Sequence, residues 1–228
     1  MLALFAASPA WSIEPRLYLA WHAPYGTTRA TEALSARCGD GGTDTLYLTF
    51  ETGVDTTQFC GIEGTVFFRA PVGDSLNAYW NALQNEVQVL FASDSIPGCT
   101  RPWRGSMSMS FSFYDHTRGS GRLQLSHVRP PAHPVAVRDS LQYFYARVLI
   151  PHPPAGLPRC DQPICIEWAQ AQFLMDVTAQ SSVMAGKQGR PFVSMNSRRG
   201  EACAPFKPEF PAKKPAAWQP KPAGTPGK

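Results

Sequence analysis

The side chains best equipped for chemistry are five histidines and a scatter of carboxylates. Tyr114-Asp115-His116 places an acid beside a base ahead of the Gly119 turn, a pairing that general acid–base catalysis uses. Neighbours on a strand point to opposite faces, so the favoured reading is a solvated turn in which Asp115 caps backbone amides. His22, followed by Ala-Pro-Tyr-Gly, ends a strand, and His133 and His152 fall in Pro-rich connectors. Glycoside hydrolysis needs two carboxylates roughly 5–9 Å apart. Asp161 with Glu167 is one candidate pair, and Glu51, Glu63 and Asp115 are further candidates. Nothing in the spacing pairs them, and a strand-borne Glu167 reads more simply as an outward-facing polar position. Gly-x-Ser-x-Gly, His-Glu-x-x-His and a phosphate loop are all missing from the sequence. Asp40 and Asp44 in Gly-Asp-Gly-Gly-Thr-Asp have oxygens suited to calcium, but the calcium-loop pattern is not met. That run reads as a Gly-rich turn. No cofactor and no catalytic residue are expected.

Aromatic residues are the better functional clue. Exposed rings on a sandwich make platforms for sugar rings or partner side chains. Tyr25, Tyr79, Trp80 and Trp103 stand near strand ends or loops and are the expected binding residues, whereas Trp21 and Trp168 read as core.

The elements that must carry these residues alternate apolar and polar positions with period two. Arg16–His22, Thr45–Glu51, Gly64–Arg69, Val87–Ala92, Met107–Phe113, Arg122–Val128, Tyr143–Ile150 and Cys165–Leu174 all show it. Gly119-Ser120-Gly121 joins two of these runs as a hairpin. Leu76, Trp80 and Leu83 repeat at helical spacing and read as a short helix or compact loop crossing the sandwich edge. About eight or nine strands without alternating long helices predict an all-β fold, an antiparallel β-sandwich of jelly-roll or Ig-like type.

Composition sets the outer bounds. The chain has 228 residues, 43% hydrophobic and 17% charged, with 22 Pro and six Cys. So few charges exclude a coiled coil, and the apolar content excludes wholesale disorder. No apolar run reaches the length of about 20 residues that a spanning helix needs. The net charge is +4, but the lysines 207, 213, 214, 221 and 228 against Glu209 account for all of it. The body is neutral, so nucleic acid is not an expected partner. Residues 204–228 are rich in Pro and Lys and read as a disordered tail suited to contacting anionic surfaces. Residues 1–12 resemble the back half of a secretory signal peptide, leaving 13–203 as the sandwich domain.

The even cysteine count agrees with export and a disulfide framework. Cys160 and Cys165, with Pro163 between them, are expected to close a small loop. A zinc site is disfavoured, because a second ligand pair is missing.

Asp44-Thr-Leu-Tyr-Leu-Thr-Phe-Glu51, Phe59-Cys-Gly-Ile-Glu-Gly-Thr-Val-Phe-Phe68 and Gly73-Asp-Ser-Leu76 resemble the opening strands of cohesin-like and carbohydrate-binding modules. Phe144–Ile150 is similar to the strand that returns such a sandwich to its first sheet. The resemblance spans about half of the chain, and departs in the six cysteines and the Pro-rich connectors. It implies a non-catalytic binding or scaffold module, secreted or envelope-associated, that recognises a protein or glycan partner. No binding residues carry over. A subunit of an extracellular filament that self-associates through an edge strand, and a secreted glycan-directed hydrolase, are the alternatives.

Overall fold

A computed structural model describes residues 14–35, 37–82, 87–91, 96–102, 108–117, 119–130, 132–175, 182–185, 189–197 and 201–203. The strands are β1 (Arg16–Trp21), β2 (Ala33–Leu34), β3 (Thr43–Glu51), β4 (Thr56–Phe59), β5 (Gly61–Arg69), β6 (Gln88–Leu90) and β7 (Ser108–Thr117). They continue with β8 (Ser120–Val128), β9 (Val135–Val137), β10 (Tyr143–Pro151), β11 (Ile164–Leu174), β12 (Ser182–Ala185), β13 (Gly189–Arg190) and β14 (Phe192–Met195). A single-turn helix, α1 (Ala78–Ala82), follows β5.

Period-two patterning builds two facing sheets. The first runs β13-β1-β3-β10-β6, and the second runs β2-β14-β11-β5-β8-β7 with β12 beside β11. Pairing is antiparallel throughout the long strands; only the short β13 and β2 pair in parallel, with β1 and β14. Strands β4 and β9 form a separate ribbon. The sandwich is as expected, with extra short strands.

From the first sheet, Leu46, Leu48 and Phe50 of β3 and Tyr145 and Val148 of β10 point inward. From the second come Ile62, Val66 and Phe68 of β5 and Leu123 and Leu125 of β8. Phe50 meets Phe173 edge-on at 5.3 Å, and Tyr145 stacks on Trp168 at 5.3 Å. Each fully buried side chain of this size contributes roughly 1.5–3 kcal/mol. Trp21 and Trp168 are both fully buried, as read from the sequence. Trp21 also ties the sheets together, its Nε1 donating to the Ser194 carbonyl at 3.1 Å.

β11 changes phase partway along. Ile164, Ile166 and Trp168 are core residues, and so are Ala171 and Phe173. A bulge between Trp168 and Gln170 supplies the extra residue that moves the core face from even to odd positions. Across from it, a Cβ on Gly64 would lie 2.7 Å from Trp168 Nε1, so the indole requires glycine there.

Helix α1 corrects one expectation. Asn77 caps it by accepting the Trp80 amide on Oδ1 at 3.3 Å. Asn77 Nδ2 donates to the Arg159 carbonyl, and Gln162 Nε2 donates to the Ser75 carbonyl. These bonds latch the turn to the connector before β11. Leu76, just before the helix, and Tyr79 and Trp80 within it all face the core. Trp80 packs on Phe68 at 5.5 Å, and Tyr79 hydroxyl donates to the Pro151 carbonyl. Both aromatics expected at the surface are therefore core.

The disulfides correct another. Cys160 bonds Cys38, and Cys165 bonds Cys203; the expected Cys160–Cys165 loop does not form. Gln162 closes a turn onto the Arg159 carbonyl, after which Pro163 and Ile164 enter extended β11. Three extended residues carry Cys165 about 10 Å onward, past bonding reach of Cys160. Cys60 and Cys99 remain thiols.

Candidate functional site

The carboxylates and histidines singled out in the sequence mostly have structural partners. Glu167, expected to face outward into solvent, is only 1% exposed. Its Oε2 accepts from Arg69 Nε at 3.2 Å. The Arg69 guanidinium lies 4.4 Å from the centroid of the Phe67 ring. Burial of both charges together is what makes the pair tolerable, since either alone would be strongly destabilising. Asp161 stays in an exposed turn, away from this pair. Glu51 pairs with Arg16 on the first sheet, while Glu63 accepts from Ser126 on the second. The candidate carboxylates are thus spread over both sheets. Asp115 and His116 belong to β7, but their side chains lie outside the described residues, as does Trp103.

The calcium reading of Asp40 and Asp44 fails for a geometric reason. His152 sits between them, its Nδ1 against Asp40 and its Nε2 3.1 Å from Asp44 Oδ2. The two carboxylates therefore address opposite ends of one imidazole ring and do not converge on a point. The Gly42 amide also donates to Asp40, and this bond, then His152, holds the Asp40 carboxyl below its usual range. No cluster of three metal-ligating side chains occurs among the described residues.

Tyr25 is half-buried rather than presented. One face stacks on Tyr18 at 4.7 Å, and the Arg190 guanidinium lies 5.4 Å from its ring centroid.

A different surface has the shape of a binding site. The segment 100–102 runs beside the start of β10, with the Thr100 amide donating to the Gln142 carbonyl and the Phe144 amide donating to the Thr100 carbonyl. Together with β9 and the β9–β10 turn it encloses a cleft of about 480 Å³. Pro102, Pro134, Val135, Ala136 and Leu141 supply apolar walls, and Arg101 and Arg138 supply cations. Tyr143 forms the buried floor, its hydroxyl accepting from the Arg138 amide at 2.6 Å. Burial raises the Tyr143 phenol above its ordinary pKa, with Asp55 adding to the rise and Arg138 opposing it. Asp55 is itself engaged, accepting from the Asp139 amide at 2.9 Å.

Leu141, 37% exposed, is one of two large hydrophobic side chains left open to solvent among the described residues, the other being Val72. Arg101 and Arg138 are exposed and make no ion pair among the described residues. Among the described residues the lining contains no carboxylate, histidine or thiol. Such a surface can hold an apolar or anionic group. Sequence reading missed it because its walls come from two separated stretches, 100–102 and 134–143. The one hint was Arg101-Pro102-Trp103-Arg104, noted for its tryptophan.

No family model and no curated protein matches this chain. Solved structures do resemble it. A chain of the CaDoc0917–CaCohA2 complex is 11% identical over 79% of this chain and 97% of its own, with a TM-score of 0.40. A type I cohesin–dockerin complex from Clostridium thermocellum contains a chain 7% identical over 83% of this chain and 97% of its own, with a TM-score of 0.37. A type II cohesin domain from the cellulosome of Acetivibrio cellulolyticus is 10% identical over 82% of this chain and 97% of its own, with a TM-score of 0.36.

Proposed function

We propose that this protein is an exported, non-catalytic binding module that recognises a protein partner through the cleft over Tyr143. The cleft itself carries the reading: apolar walls and two cations are presented to solvent on a two-sheet frame, and its hydroxyls, Thr100 and the buried Tyr143, have no carboxylate, histidine or thiol beside them in the described lining. The likeness to cohesins is not needed for it. A protein partner is favoured over a glycan because the cleft walls are aliphatic and proline, while Tyr79 and Trp80, the expected sugar platforms, are buried. Two disulfides and the apolar opening of residues 1–12 support export to the cell envelope or beyond. Residues 13–203 serve as the binding body, and the basic 204–228 tail serves as a spacer or tether to anionic surfaces.

The test is capture of a partner from the source cells' envelope and medium by the full-length oxidised protein, beside its Leu141→Asp variant. A partner that saturates the wild type and falls at least tenfold with the variant is expected. Equal capture by both proteins, or loss of the partner in moderate salt without any effect of Leu141→Asp, would assign binding to another surface.

A further inference from the structure

The cleft's chemistry also specifies what should enter it. We infer that its occupant is an extended acidic peptide segment in which a side-chain carboxylate is taken between Arg101 and Arg138, with a neighbouring aliphatic residue against Leu141 and Val135. This inference rests on the reading of the cleft as a protein-binding site and names its ligand.

Charge complementarity is the first argument. Both guanidinium groups are exposed on one cleft, and neither has a carboxylate partner among the described residues. Three other exposed arginines do have one, while Arg29 and Arg37, like these two, have none among the described residues. Arg16 pairs with Glu51, Arg159 with Asp74 and Arg190 with Glu32. The nearest acids, Asp55 and Asp139, do not line the cleft. Guanidinium is the cation best matched to carboxylate, through its planar fork of donors. Two of them around a part-enclosed apolar surface work in lower dielectric than open water, so each contact counts for more than a surface pair.

The shape of the walls is the second argument. Pro102, Pro134, Val135, Ala136 and Leu141 make an aliphatic surface, with no exposed ring for a sugar to stack on among the described residues. Tyr143 is only 2% exposed and serves as floor. An extended peptide alternates its side chains, so an acidic residue and an aliphatic one two positions away fall on the same side. That spacing fits a cleft whose cations and apolar wall lie side by side.

The measurement is calorimetric titration of the full-length oxidised protein with three probes in 50 mM salt. The first is the blocked peptide acetyl-Pro-Glu-Ala-Leu-Ala-Glu-amide, whose Leu lies two positions from each glutamate and so shares their face. The second is the same peptide with glutamine for both glutamates, and the third is an oligogalacturonate. The acidic peptide is expected to bind at least tenfold more tightly than the glutamine peptide, and to weaken as salt rises. Arg101→Gln and Arg138→Gln are each expected to bring the acidic peptide down to the level of the glutamine peptide. Leu141→Ser is expected to weaken both peptides alike. All three positions are solvent-facing, so folding is checked simply by the thermal midpoint. Equal binding of the two peptides, no binding of either, or tighter binding of the oligogalacturonate would overturn the inference. If the peptides fail while Leu141→Asp still abolishes partner capture, the cleft reading stands and its ligand is of another kind.

Discussion

At the scale of single residues, burial and pairing decide what each titratable group does. His127 illustrates it. The ring is 1% exposed, packed on Phe91 at 5.2 Å and near Tyr145, and desolvation lowers its pKa from 6.5 to about 3. The unfolded chain therefore takes up this proton first as pH falls. The stability tied to neutral His127 is complete above pH 6.5 and is lost progressively down to about pH 3. Between pH 7.5 and 5.5 the wild type is expected to lose about 1.4 kcal/mol more in urea unfolding than His127→Phe does. Equal losses in both proteins would mean that His127 titrates normally in the fold. Residue roles were only partly legible in sequence. Trp21 and Trp168 read as core because they sit on strongly alternating strands. Trp80 and Tyr79 were misread because a place near strand ends and loops was taken for exposure, although the helical spacing of Trp80 with Leu76 already put it on the apolar side. Glu167 was misread because its cover and its partner, Arg69, lie 98 residues away.

At the scale of elements, long strands were legible and short ones, apart from β6 within the expected Val87–Ala92 strand, were not. β1, β3, β5, β7, β8, β10 and β11 carry enough alternation to announce themselves, and the β7–β8 hairpin is marked by its Gly-Ser-Gly turn. β2, β4, β9 and β12 to β14 have two to four residues each, and only distant partners make them strands. Disulfide pairing was illegible for the same reason: separations of 122 and 38 residues depend on the finished topology. Non-reducing peptide mapping is expected to find Cys38–Cys160 and Cys165–Cys203, with Cys60 and Cys99 recovered as alkylated thiols. A Cys160–Cys165 peptide would contradict the register of β11. Closing a 38-residue loop is worth about 4 kcal/mol in the chain-entropy account, so Cys165→Ser with Cys203→Ser should lower stability by an amount of that order.

At the scale of the whole molecule, two sheets packed through Phe50, Tyr145, Trp168 and Phe173 form a frame whose chemically able side chains are mostly occupied in holding it together. Arg69–Glu167 is buried in the second sheet, and the Asp40–His152–Asp44 clamp joins the turn before β3 to the connector after β10. What the frame presents is the cleft at the start of β10, assembled from residues 100–102 and 134–143, which are far apart in the chain and so hidden from any local motif. The proposed seat of the partner protein is this cleft. It is tested most directly by a photo-crosslinking amino acid placed at Leu141 in one protein and at Val72, the other exposed hydrophobic, in a second. Each is irradiated with the captured partner. The account predicts a covalent adduct from position 141 and none from position 72. An adduct from position 72 alone, or from neither position with the partner still bound, would contradict it.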